Sequence, residues 1–217
     1  MNIFILNKSP ILAARDHCNK HVVKMILESA QMLSTAHWIN WQRMLQPELQ
    51  PGEKLQDWLR VNVHKDLQPA WKMTHAHHPC TQWAARCWGN YTWLSLHGME
   101  LCREYEHRYG RTHKSLEVHR WLNRVIPPTF ETTTEVATAT TPFAIAMPEK
   151  YRISSDAVES YRNYYMGEKA RFAKWPNEKI PAWWQPTSYL ALGGRYGTEL
   201  NNKAEGEGTA REGENQY

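Results

Sequence analysis

Four ionisable residues stand out by their spacing: His17, His21, Lys24 and Glu28 recur at steps of four, three and four. At about 100° per residue on a helix they point within roughly 60° of one another, a single polar line on an otherwise apolar segment. A carboxylate beside an imidazole and an ammonium can move protons near neutral pH, so this line reads as an acid/base wall with Glu28, His21 and Lys24 as catalytic candidates. The plainer alternative is a solvated stripe. A second group is the loop His75-Ala76-His77-His78-Pro79-Cys80, in which proline fixes the turn after His78 and offers that imidazole to a substrate or a phosphate. Its donors, alone or with His17, Cys18 and His21, are of the types zinc accepts, but their spacing matches no standard zinc pattern, so no metal is assigned. A third group, from Cys102 to Lys114, crowds cations at a helix end. Arg108, Arg111, His113 and Lys114 are the expected phosphate contacts, against the simpler reading of favourable charge at a helix C-terminus. A phosphate-cradling glycine loop, a dinucleotide fingerprint and a serine-hydrolase elbow are all missing from the sequence.

The elements that must carry these groups are helical. Apolar residues Val22, Ile26, Ala30 and Leu33 predict a helix over 19–38, broken at 46–52. An amphipathic stretch over 53–67 turns Leu55, Trp58 and Leu59 inward. Thr81 is the expected cap of one long helix reaching Tyr109, stopped by Gly110, with Trp83, Cys87, Tyr91, Leu94, Leu101 and Tyr105 on its buried side. A short helix follows over 113–124, then a proline-bounded, threonine-rich stretch with no helical period. Ser154-Ser155-Asp156 caps a last helix to about Trp175. Residues 2–6 read as a short strand or extended segment, and Ser9-Pro10 as a helix start.

Composition sets the class. The 217 residues, 41% hydrophobic and 12% aromatic, suit one core. The expected fold is mainly α, a single helical domain over 1–198 with a short N-terminal extended segment, followed by a disordered acidic tail over 199–217. That tail holds five glutamates against Lys203 and Arg211, a net −3 within the overall +4, so the body carries about +7. Such a body suits a polyanion, and eleven tryptophans and ten tyrosines supply rings for stacking on unpaired bases. No run of about 18 apolar residues exists, which excludes a membrane span, so no membrane partner is expected, and the start is not that of a secretion signal. The four cysteines lack paired short spacing and read as reduced thiols of a cytoplasmic protein.

The segments HCNKHVVKMILESAQMLSTAH, THAHHPCTQWA, CREYEHRYGRTHK, TPFAIAMP and YRNYY…EKARFAKW resemble a family of tailed-bacteriophage proteins over most of residues 1–185. That resemblance implies a habitat, an infected bacterial cell, but no activity. A shorter resemblance, over about thirty residues, is to the phage pyrimidine-dimer DNA glycosylases, which use an N-terminal amine as nucleophile and a helix-borne glutamate as acid/base. Asn19, His21 and Glu28 match their spacing. Asn2 departs from the pattern, because its bulk hinders removal of Met1, so the amines left to form an imine are those of Met1, Lys20 and Lys24. The resemblance implies an enzyme acting on a base in DNA, a glycosylase or lyase without cofactor. A transferase of pyrimidine hypermodification and a non-catalytic module binding nucleic acid or a host protein stand as alternatives.

Overall fold

The computed structural model describes residues 1–131, 139–176 and 179–186. Among these there are seven α-helices and no strand: α1 (Pro10–Arg15), α2 (Asn19–Leu45), α3 (Leu55–Asn62), α4 (Pro79–Arg86), α5 (Trp88–Tyr109), α6 (Leu116–Arg124) and α7 (Ala157–Lys169). The expected mainly α class holds. The acidic tail and part of the threonine-rich stretch lie outside the described residues.

The central helix is α2. Its 27 residues span about 40 Å, and Val22, Met25, Ile26, Ala30, Met32, Leu33 and Ala36 are completely buried along it. Helices α4, α5 and α6 pack around it, and α1 lies on α5. The last turns of α2 run past the expected end at residue 38, because Asn40 and Leu45 also find burial. The expected single helix from residue 81 to 109 is two helices. Cys87 takes an extended conformation between α4 and α5, and the carbonyls freed by the break are met by side chains. Asn90 Nδ2 donates to Trp83 O (2.8 Å) and Asn40 Nδ2 donates to Ala85 O (3.1 Å). Thr81 is not the cap of α4; His78 is, with Nδ1 accepting from Cys80 N at 3.2 Å. In α5, Gly98 is required by a close approach, since a Cβ there would lie 2.2 Å from His119 Cε1. Asp156 caps α7 by accepting from Val158 N at 2.8 Å, but the helix stops at Lys169 rather than near Trp175.

Residues 1–6 form no strand. They run extended through the interior, with Ile3, Phe4, Ile5 and Leu6 buried. All four cysteines are buried free thiols. No helix among the described residues is long and apolar enough to cross a membrane.

Histidines fill much of the polar interior. His17 Nδ1 donates to Ala13 O (2.7 Å), His97 Nδ1 to Pro10 O (3.0 Å) and His119 Nε2 to Ile26 O (2.9 Å), while His37 Nε2 meets the Tyr91 hydroxyl at 2.9 Å. Burial, the largest cause, holds His17, His37 and His97 down to about 3 and His119 down to about 4. An unfolded histidine titrates near about 6.5, so below that pH the unfolded chain binds protons that the folded chain refuses. The stability these groups contribute is complete above about pH 6.5 and is lost as pH falls toward the folded values. We expect urea denaturation to report a loss on the order of 1 kcal/mol per histidine for each pH unit below about 6.5. A stability that stays level from pH 7 to pH 5 would contradict buried neutral histidines.

Candidate functional site

The site begins where the extended N-terminal segment meets the middle of α2. With no strand to pair with, its peptide groups need other partners. Asn2 N donates to Glu28 Oε2 at 2.9 Å, and the Asn2 side chain accepts from Ile3 N (2.7 Å) and Phe4 N (3.0 Å). Asn2 Nδ2 donates to Ala146 O at 2.6 Å, which ties the TPFAIAMP segment over the same point. The Tyr161 hydroxyl fixes that segment from α7, donating to Ala144 O (2.9 Å) and accepting from Ala146 N (3.1 Å). One turn before Glu28, Lys24 Nζ lies 3.0 Å from the other carboxylate oxygen. Glu28 is only 8% exposed, so its carboxylate is a largely desolvated anion gripped by a peptide N–H and an ammonium.

His78 is half-buried at the start of α4. Burial is the main cause lowering its pKa, assisted by the Met1 amine and His75, while the Glu28 charge acts in the opposite direction. Met1, Glu28 and His78 are therefore within electrostatic reach of one another. Cys80, next along, is buried and pushed up to about 12, again mainly by burial, so at neutral pH it is a thiol. Among the described residues no three histidine, cysteine or acidic side chains converge to hold a metal. Beside Pro79, a cleft of about 330 Å³ opens between α4 and the 142–144 segment, lined by Gln82, Trp83, Arg86 and Glu131.

The polar line read along α2 divides into three environments. His17 is wholly buried and faces His97 across 5.2 Å between ring centres, outside any open site. His21 is buried at the edge of the site, with Nδ1 2.6 Å from the Tyr165 hydroxyl and its ring stacked 4.5 Å from Phe4. Burial, followed by the charges of Lys169, Lys24 and Lys20, holds it down to about 3, so it is neutral at pH 7. It makes no contact with Glu28. Of the four, Lys24 and Glu28 form an ion pair. Phe4 and His75 are the two non-glycine residues with positive φ among the described residues, at 53° and 51°. Each costs on the order of 1 kcal/mol, and each lies in a segment that shapes this site.

The expected phosphate contacts do not gather here. Arg108 has a side chain only 1% exposed and every part of its guanidinium is engaged. Nε donates to Glu104 (2.9 Å), Nη1 to His17 O (2.8 Å) and Asn19 Oδ1 (3.1 Å), and Nη2 to Arg15 O (3.0 Å). It joins α5 to the α1–α2 junction, about 13 Å along α2 from Glu28. Arg111 and Lys114 are exposed beyond the end of α5, and His113 Nδ1 accepts from Ser115 N at 3.1 Å. None of these three contacts Glu28 or His78.

Sequence reasoning did not single out Asn2, Tyr161, Tyr164, Lys169 or Phe172. The last four belong to the YRNYY…EKARFAKW motif, whose density of aromatics and cations was the available signal. It also missed a cavity of about 650 Å³ near the α1–α2 junction. There Glu100 is held by Arg15 (2.9 Å) and Arg103 (3.0 Å), and Glu104 by Arg108 and Lys179, so the charges are spent on one another.

A structural Arg108 has a measurable signature. Arg108→Ala should destabilise the fold by roughly 3–5 kcal/mol, the cost of breaking a buried pair, whereas Arg111→Ala should stay within about 0.5 kcal/mol. Equal small effects in urea denaturation would mean that Arg108 is not the clamp described.

No family model matches this chain, and searches of curated proteins and of solved structures likewise find no match, so its reading rests on its own geometry.

Proposed function

We propose that this protein is a phage enzyme acting on a base in DNA, a glycosylase/lyase working in the cytoplasm of an infected cell. The observation that carries the reading is the Lys24–Glu28 pair beside the N-terminal segment: an amine 3.0 Å from a carboxylate that is itself held by Asn2 N. Such a pair has the two parts an imine-forming lyase needs, a nucleophile and a base in direct contact. It also agrees with the resemblance of Asn19, His21 and Glu28 to the pyrimidine-dimer glycosylases.

The steps follow from that contact. Glu28 takes a proton from the Lys24 ammonium, and the free amine attacks C1′ of the deoxyribose. The C1′–N bond to the base breaks, and the base leaves with the proton held by Glu28. The secondary ammonium left on C1′ gives a proton to O4′ as the C1′–O4′ bond breaks, which opens the sugar ring and leaves a protonated imine between Lys24 and C1′. Glu28 then removes a C2′ proton and the 3′ phosphate departs, cutting the strand; water releases the lysine. His78, placed by the Pro79 turn, donates to the departing phosphate or to a neighbouring one. His21, neutral and remote from Glu28, is a positioning residue that holds the Phe4 ring. The base must leave the stack for this chemistry.

Borohydride trapping on damaged or abasic DNA should give a covalent adduct that peptide mapping places on Lys24. Lys24→Ala should abolish it, and Glu28→Gln, which preserves the acceptor for Asn2 N, should slow it about 10²- to 10⁴-fold. An adduct mapped to Met1 would move the nucleophile to the terminal amine. Absence of both adduct and strand scission on every lesion tested would remove the lyase reading and favour a binding module.

A further inference from the structure

Beyond the Lys24–Glu28 pair, the same face of the molecule carries aromatic rings overlaid by cations. Phe172 is half-buried after α7, its ring centre 5.4 Å from that of His21. Lys20 Nζ lies 4.8 Å above it and the Arg171 guanidinium carbon 5.8 Å away. Tyr164, also half-buried, stacks on Phe4 at 5.8 Å, and Lys169 Nζ sits 4.5 Å over its ring. Lys20 and Lys24 are one turn apart on α2, so the rings and the Glu28 carboxylate share one strip. The nearby Glu168 is already taken by the Tyr151 hydroxyl (2.8 Å) and Lys150 (3.4 Å), and leaves the strip positive.

We infer that Tyr164 and Phe172, with Lys20, Lys169 and Arg171, form the binding surface for the unpaired strand that carries the target base. The inference deepens the reading above and rests on it for the identity of the polymer. Two features favour unpaired nucleotides over an acidic polypeptide. A base that displaces a mobile lysine ammonium from over a half-buried ring stacks there whatever its sequence, and the displaced cation meets the phosphates that link the bases. A duplex hides its base faces and would engage only the cations. This surface is separate from Arg111, His113 and Lys114 beyond the end of α5, and the buried Arg108 is not part of it.

The test is fluorescence anisotropy with a labelled single-stranded oligonucleotide containing 2-aminopurine, compared with a duplex of equal length and with polyglutamate. The single strand should bind more tightly than the duplex, with a change in 2-aminopurine emission. Phe172→Ala and Phe172→Leu should weaken binding roughly five- to hundredfold, while Phe172→Trp retains it. The leucine variant keeps the apolar bulk, so loss there reports the ring rather than the fold. Lys20→Ala and Arg171→Ala should each lower the salt slope of binding by about 0.7. No binding, equal affinity for duplex, or displacement by polyglutamate with Phe172→Leu unaffected would each overturn the inference. Ring-dependent binding without a borohydride adduct would keep this surface and remove the lyase; an adduct with ring-independent binding would do the reverse.

Discussion

An extended chain inside a helical core must give its peptide groups to side chains, and this constraint shapes the protein. A strand would satisfy residues 2–6 with a neighbouring strand; here there is none among the described residues. Asn2 N goes to the Glu28 carboxylate, the next two N–H groups go to the Asn2 side chain, and Leu6 O accepts from Arg162 Nε at 2.8 Å. Each bond reaches a different element: α2, the segment itself and α7. The buried glutamate is thus both a structural acceptor for the N-terminal segment and the anion of the site. Removing its charge while keeping its shape separates the two roles, because an amide oxygen still accepts a hydrogen bond but cannot take a proton.

The same economy governs the other buried polar groups. A neutral imidazole donates one N–H to a carbonyl and needs no counter-charge, so histidines serve where a lysine would require a partner. His17 bonds back to Ala13 of α1, His97 ties α5 to the start of α1, and His119 ties α6 to α2. Arg108 is matched instead to Glu104 and to three oxygens at the α1–α2 junction. Arg108 at the end of α5 therefore serves the fold, while Arg111 and Lys114 just beyond it are exposed.

Much of the secondary structure was legible in the sequence because it depends on local pattern. The three-and-four spacing of Val22, Ile26, Ala30 and Leu33 marked α2, Ser9-Pro10 marked α1, and Asp156 marked α7. The break at Cys87 was not legible, because helical spacing continues across it and the compensating partners, Asn40 on α2 and Asn90 on α5, are brought there by tertiary packing.

Residue types and their spacing determined the mainly α class, the helix that presents Lys24 and Glu28 one turn apart, and the turn at Pro79 that fixes His78. These follow from helix geometry and from proline's locked φ, both local properties. Tertiary structure alone decided which ionisable residues meet. It buried His17, isolated His21 behind Tyr165, turned Arg108 inward and carried Asn2 to Glu28 across 26 residues of sequence. Helical periodicity states which residues share a face; what that face meets is fixed by the packing of distant elements, where the cost of leaving a buried charge or peptide group unpaired selects one arrangement.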